Sequence, residues 1–214
     1  MIKVKRSPNP PESLADKKIL DDVYRQLDKD FFGKCYLCEQ KDFIPISVDH
    51  LKSKSKHPDL EYNWSNLFPA CRYCNEVKGD NYDDIIDCTL VDAELCMSYR
   101  LIMDLIPAVD IQPEINEYQV CRTSELLMKI HDNKNIRSGP TNSRRLVKRI
   151  KDEIQNLQRL IIEIKSCDPE DHNEYLRNIK IAISPEVEFA AFKRWYIRDL
   201  LIFHPILTGS LYDE

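Results

Sequence analysis

The sequence predicts an α+β fold, mostly α-helical, in which a small metal-stapled module packs on a helical body. Three observations carry that prediction. Two Cys-x-x-Cys pairs, Cys35/Cys38 and Cys71/Cys74, bracket residues 39–70. Farther on, Leu146, Ile150, Ile154, Leu157, Ile161 and Ile164 recur at spacings of four and three, which on a helix makes one buried stripe. The whole chain is 43% hydrophobic and 31% charged, the balance of a globular protein and not of a disordered one. Its 214 residues suffice for one sizeable domain or a small module on a larger one. The expected divisions are 1–30 (N-terminal arm and helix), 31–80 (cysteine module) and 81–214 (helical domain).

Taken in order, Ser7-Pro8-Asn9-Pro10-Pro11 cannot be regular helix and should run extended. Ser13 reads as the N-cap of a helix to about Asp28, with Leu14, Ile19, Leu20, Val23 and Leu27 on its apolar side. Phe43 to Val48 is strand-like and delivers Asp49-His50 at a strand end. A helix starting near Asn75 leaves the second cysteine pair and ends at Gly79. From Ile85 the chain is expected to be mostly helical, interrupted at Pro107 and Pro113, with a short helix over Glu125 to Asp132. Ser138-Gly139-Pro140-Thr141-Asn142 marks a break and a helix start. The helix from about Asn142 to Lys165 follows, and Asp168-Pro169 ends it. Helices over Glu170 to Ala182 and Pro185 to Phe203 complete the chain, with Phe189, Phe192, Trp195 and Tyr196 as core candidates.

The net charge of −5 argues weakly against nucleic-acid binding, but its distribution changes that. Ten acids and one base, Arg100, lie between Asp80 and Tyr118. Between Arg137 and Arg159 the balance reverses, with Arg137, Arg144, Arg145, Lys148, Arg149, Lys151 and Arg159 against Asp152 and Glu153. A basic stripe can follow a phosphate backbone even on an acidic protein; a solvated helix face is the plainer reading. Arg144, Arg145, Lys148 and Arg149 are therefore expected to face substrate. The acidic stretch is read as a partner surface or a shield over the site. No apolar run reaches 18 residues, and MIKVKRSPNPPES lacks the apolar core of a signal peptide. A cytoplasmic protein without membrane contact is expected. In that setting paired cysteines favour metal over disulfides, and four thiolates in two pairs make a closed tetrahedral zinc site. Cys88, Cys96, Cys121 and Cys167 lack paired spacing and read as free, mostly buried thiols.

Asp49-His50, Asn66 and Asn75 inside this cysteine frame resemble the HNH nuclease motif, whose fold is a β-hairpin followed by a helix around one catalytic ion (ββα-metal). The resemblance covers Lys34 to Gly79. It implies His50 as general base, Asp49 and Asn75 as ligands of a catalytic Mg²⁺ or Mn²⁺, and Asn66 as the residue that pins the loop so that His50 points correctly. Zn²⁺ on Cys35, Cys38, Cys71 and Cys74 would then be structural. Softness sorts the two metals, thiolates taking zinc and oxygens the harder ion. The residue types suit phosphodiester hydrolysis, which needs a base working near neutral pH and a cation to take up developing negative charge. Lys52, Lys54 and Lys78 are candidate phosphate contacts or ordinary solvated lysines.

Over most of the chain, from Pro10-Pro11 through DHLKSKSKHPDLEYNWSNLFPACRYCNEVKGD to the helical tail, the sequence is similar to PtuB-type HNH proteins of Septu and retron anti-phage systems. It departs from them at Leu51-Lys52-Ser53, where a proline is usual. That similarity implies a DNA endonuclease acting with an ABC-type ATPase (PtuA) and, in retron versions, with a reverse transcriptase and its RNA–DNA product. Two rivals stand beside it. A non-catalytic zinc module that binds nucleic acid or a partner protein should have lost its base or its metal ligand, and both are kept. A solitary restriction or homing enzyme should carry a DNA-reading domain, and no such motif is found. His57 reads as structural or substrate-facing; His131, His172 and His204 receive no role.

Overall fold

The computed structural model describes residues 1–42, 46–132, 140–166, 168 and 170–201. An extended N-terminal arm leads through a 3₁₀ turn, Glu12–Asp16, to α1, Asp21–Asp30. The cysteine module follows, with β1 (Ile46–His50), β2 (Leu67–Cys71) and α2 (Arg72–Lys78). Then come α3 (Ala93–Cys96), β3 (Met97–Ile102) and β4 (Ala108–Pro113). The remainder is helical: α4 (Tyr118–His131), α5 (Pro140–Ser166), α6 (His172–Ala182) and α7 (Ala190–Leu201). The fold is α+β and mostly helical, with two separate antiparallel hairpins, β1–β2 and β3–β4, among the described residues.

Two expectations are corrected. The helix expected from Ser13 to Asp28 is broken in two: Lys17 takes a left-handed φ of 55° and closes the 3₁₀ turn, and α1 begins only at Asp21. Ser13 caps nothing directly; its N–H and Oγ bond the Asp22 carboxylate at 3.0 and 2.6 Å, so the capping oxygen comes from the helix and ties the turn to it. The larger correction lies after Ile85, where a hairpin stands in place of mostly helical chain. Met97–Ile102 pairs with Ala108–Pro113, Met97 opposite Pro113 and Ile102 opposite Ala108. Pro107 falls in the turn and Pro113 on the last rung, where a missing N–H is tolerated. Six residues are too few for periodicity to separate strand from helix; packing of β3 on α7 and β4 on α4 decides it.

The long helix behaves as its stripe requires. Leu146, Ile150 and Ile154 enter the main core, whereas Leu157, Ile161 and Ile164 meet Ile179, Ile183 and Ile197 in a second cluster. Each such fully buried aliphatic contributes about 2 kcal/mol, so the stripe clamps two cores along one rod. The main core is continuous from the N-terminal arm through the cysteine module to Phe192. Arg6 stitches the arm down, its guanidinium 4.5 Å from the Phe68 ring centre and 4.7 Å from that of Trp64, with a 2.8 Å bond to the Trp64 carbonyl. Phe189 and Phe192 are buried as expected, while Trp195 and Tyr196 are half-buried. Cys88 is buried and Cys96 and Cys121 half-buried, all with free thiols; Cys167, Ser138-Gly139 and His204 lie outside the described residues.

Candidate active site and metal centre

The four module cysteines come together. Cys35 and Cys38 sit on a tight turn in which Cys35 N–H bonds the Gln40 carbonyl at 3.1 Å and Glu39 N–H bonds the Cys35 carbonyl at 2.9 Å. Cys71 ends β2 and caps α2, its sulfur accepting the Cys74 N–H at 3.4 Å. All four sulfurs lie within 4.8 Å of one another, and Cys38 Sγ is 4.0 Å from Cys71 Sγ. A tetrahedron with zinc–sulfur bonds of about 2.3 Å has edges of roughly 3.8 Å, so the donor set fits a zinc ion. Hydrogen bonds from the other three thiols hold the Cys71 thiol far below its usual range, while burial drives Cys38 and Cys74 upward. A divalent cation binding here would displace the thiol protons.

Next to this cluster the strands place the oxygen and nitrogen groups. Asp49 and His50 end β1, opposite Phe68 and Leu67. Asp49 is 5% exposed. Its Oδ2 accepts the Tyr36 hydroxyl at 2.5 Å, and its Oδ1 is 3.4 Å from Lys78 Nζ. Burial raises the Asp49 carboxyl above its usual range against the pull of Lys78 and Tyr36. Burial, with the Asp49 charge, keeps the Tyr36 hydroxyl protonated. Lys78, read above as a candidate phosphate contact or a solvated lysine, is neither: it is 1% exposed and also donates to the His50 carbonyl at 2.7 Å. His50 Nε2 lies 2.9 Å from the Glu61 carbonyl. A carbonyl only accepts, so Nε2 carries a proton, and in the neutral ring the lone pair is then at Nδ1.

Asn66 closes the loop between the strands. Its Oδ1 accepts the Lys52 N–H at 2.8 Å, and its Nδ2 donates to the carbonyls of Lys52 and Leu60 at 3.0 and 3.1 Å. Both sides of the loop are therefore held by one buried amide. Asn75, on α2, donates from Nδ2 to Ser47 Oγ at 3.0 Å, which leaves its Oδ1 for another partner. Gly79 ends α2 at a φ of 48° and a ψ of −147°, a region that only glycine enters readily.

These groups share a cavity of about 240 Å³ lined by Val48, Asp49, His50, Ser53, Lys54, Asn75, Gly79 and Asp80. Lys54 is exposed on its rim, 3.8 Å from Glu61, while Lys52 is half-buried and held through its backbone. A larger cavity of about 510 Å³ between β4 and α4 holds none of these groups. Part of the acidic segment turns inward: Asp83 takes the Ser53 N–H and hydroxyl at 2.8 and 3.0 Å, with Lys56 at 3.5 Å and His57 at 3.7 Å. On α5, Arg144, Arg145 and Lys148 are exposed, but Arg149 pairs with Glu188 at 2.5 Å. Sequence reasoning passed over Tyr36, Ser47 and Asp83. Tyr36 had a signal, its place inside the first cysteine pair; Ser47 and Asp83 had none.

Residues 35–81 match the HNH endonuclease family. The chain is also similar to Septu protein PtuB of Bacillus thuringiensis, 28% identical over 96 residues, covering 37% of this chain and 37% of that protein. No helix among the described residues is long and apolar enough to cross a membrane.

Proposed function

We propose that this HNH module is a metal-dependent DNA endonuclease acting in a Septu-type anti-phage system with an ABC-type ATPase of the PtuA kind. The observation that carries the reading is the His50 ring held by the Glu61 carbonyl at 2.9 Å, at a cavity it shares with Asp49 and Asn75. In this reading His50 Nδ1 takes the proton of the attacking water, the tautomer being set by the bond at Nε2. Asn66 keeps the loop carrying the Glu61 carbonyl in register with β1. Asp49 and Asn75 Oδ1 would hold Mg²⁺ or Mn²⁺, which supplies charge stabilisation for the phosphate and the leaving oxygen. Lys54, on the rim, approaches the phosphate backbone, as do Arg144, Arg145 and Lys148 on α5. The cysteines hold zinc and keep the two hairpin strands and α2 in register. The helical part that follows the cysteine module is the body on which the ATPase docks.

The test is plasmid nicking with Mg²⁺ or Mn²⁺, wild type against His50→Ala, with and without the ATPase. Cleavage that needs both the ion and His50 supports the reading, and dependence on the ATPase adds that the nuclease is silent alone. A folded, zinc-loaded protein that nicks under none of these conditions supports instead a module that only binds.

A further inference from the structure

We infer that Tyr36 is a positioning residue for the candidate metal carboxylate: its hydroxyl locks Asp49 Oδ2, so the cysteine pair that carries Tyr36 sets which Asp49 oxygen is left for a cation. The inference rests on the reading of Asp49 as a metal ligand and extends it to a residue that is not among Asp49, His50, Asn66 and Asn75.

A carboxylate can turn about its Cβ–Cγ bond and offer either oxygen, or both, to a hard ion. Asp49 has lost that freedom. Oδ2 is engaged at 2.5 Å by Tyr36, the distance of a charge-assisted O–H···O bond. The contact at Oδ1 is much longer, 3.4 Å from Lys78 Nζ, and that ammonium is directed instead to the His50 carbonyl at 2.7 Å. Oδ1, the less engaged oxygen, is therefore the one that would meet a cation.

Tyr36 is itself held from three sides. It stands between Cys35 and Cys38, two members of the sulfur cluster. Its N–H bonds the Pro69 carbonyl of β2 at 2.9 Å, and its ring packs on Phe68 with centres 4.9 Å apart. A buried tyrosine needs some acceptor for its hydroxyl, and a backbone carbonyl would have served. This one spends its bond on a carboxylate that lines the cavity, as the groups behind metal ligands characteristically do.

The test is Mn²⁺ binding to the zinc-loaded, nucleic-acid-free protein, followed by the electron paramagnetic resonance of free Mn²⁺. Tyr36→Phe keeps the ring and removes only the hydroxyl. At unchanged zinc content it should weaken Mn²⁺ binding on the order of 10-fold, and Asp49→Asn should abolish it. Abolition in Asp49→Asn with wild-type affinity in Tyr36→Phe overturns the inference and leaves the proposed function standing. Wild-type affinity in Asp49→Asn overturns the ligand reading and the inference together. If Tyr36→Phe loses zinc, wild-type protein labelled with ¹³C at tyrosine Cζ decides. Mg²⁺ should shift the Tyr36 Cζ resonance, and a resonance indifferent to Mg²⁺ overturns the inference.

Discussion

The sulfur cluster and the cavity beside it stand on one hairpin and one helix, yet they are built in opposite ways. Cys74 and Asn75 are consecutive in α2; the first is fully buried and the second lines an opening. Four thiolates face one another with none to spare, so the cluster has no open position. The cavity offers Asp49 Oδ1, Asn75 Oδ1 and His50 Nδ1 with only part of their bonding capacity used. A closed site can only hold the fold, whereas an open one can take substrate or water. The difference teaches that one module separates stability from chemistry by donor type and exposure, although the two sites are neighbours.

Breaking the closed site should have the largest effect. Cys74→Ser removes a ligand that nothing else replaces. Zinc content should fall and cooperative thermal unfolding by circular dichroism should disappear, because structural zinc contributes on the order of 10 kcal/mol to such folds. Lys78→Met comes next. It leaves the Asp49 carboxylate buried without its counter-charge, and urea unfolding should show a loss of about 3–5 kcal/mol. Little effect on urea stability would mean that Asp49 is kept neutral by a proton instead of by Lys78.

The comparison extends to two histidines. His131 is buried, its Nδ1 is 2.8 Å from the Leu127 carbonyl, and its Nε2 has no hydrogen-bond partner among the described residues. Burial pushes its pKa down to about 4 from the usual 6.5. The folded state therefore prefers the neutral ring. That contribution is fully present above pH 6.5 and is lost progressively as pH falls towards 4, roughly 3 kcal/mol in all. His131→Leu should flatten the acid limb of the stability-against-pH curve over that interval, and an unchanged limb would assign it to other groups. At the open site the effects on stability are smaller. Asn66→Ala unpairs the Lys52 backbone and the Leu60 carbonyl and should cost about 2 kcal/mol. It should also lower nicking at unchanged zinc content. His50→Ala should cost no more than about 1 kcal/mol while removing nicking altogether, the reverse of the cysteine variant.

What the sequence determined by itself is what local spacing can encode. The two Cys-x-x-Cys turns, the polar residues held at set distances between them, and the four-and-three stripe of α5 depend on near neighbours in the chain. The sulfur cluster and the buried face of α5 are therefore legible in the order of residues alone. Four features were decided only by tertiary contact. Met97–Ile102 becomes a strand because β4 and α7 lie against it, and nothing in its own residues separates strand from helix. Lys78 turns inward because β1 brings a carboxylate and a carbonyl within its reach; its position in α2 would equally suit a solvated lysine. Tyr36 meets Asp49 across 13 residues of chain, and Asp83 meets Ser53 across 30. Such pairings depend on where distant segments are packed, and a spacing rule written along the chain carries no information about that.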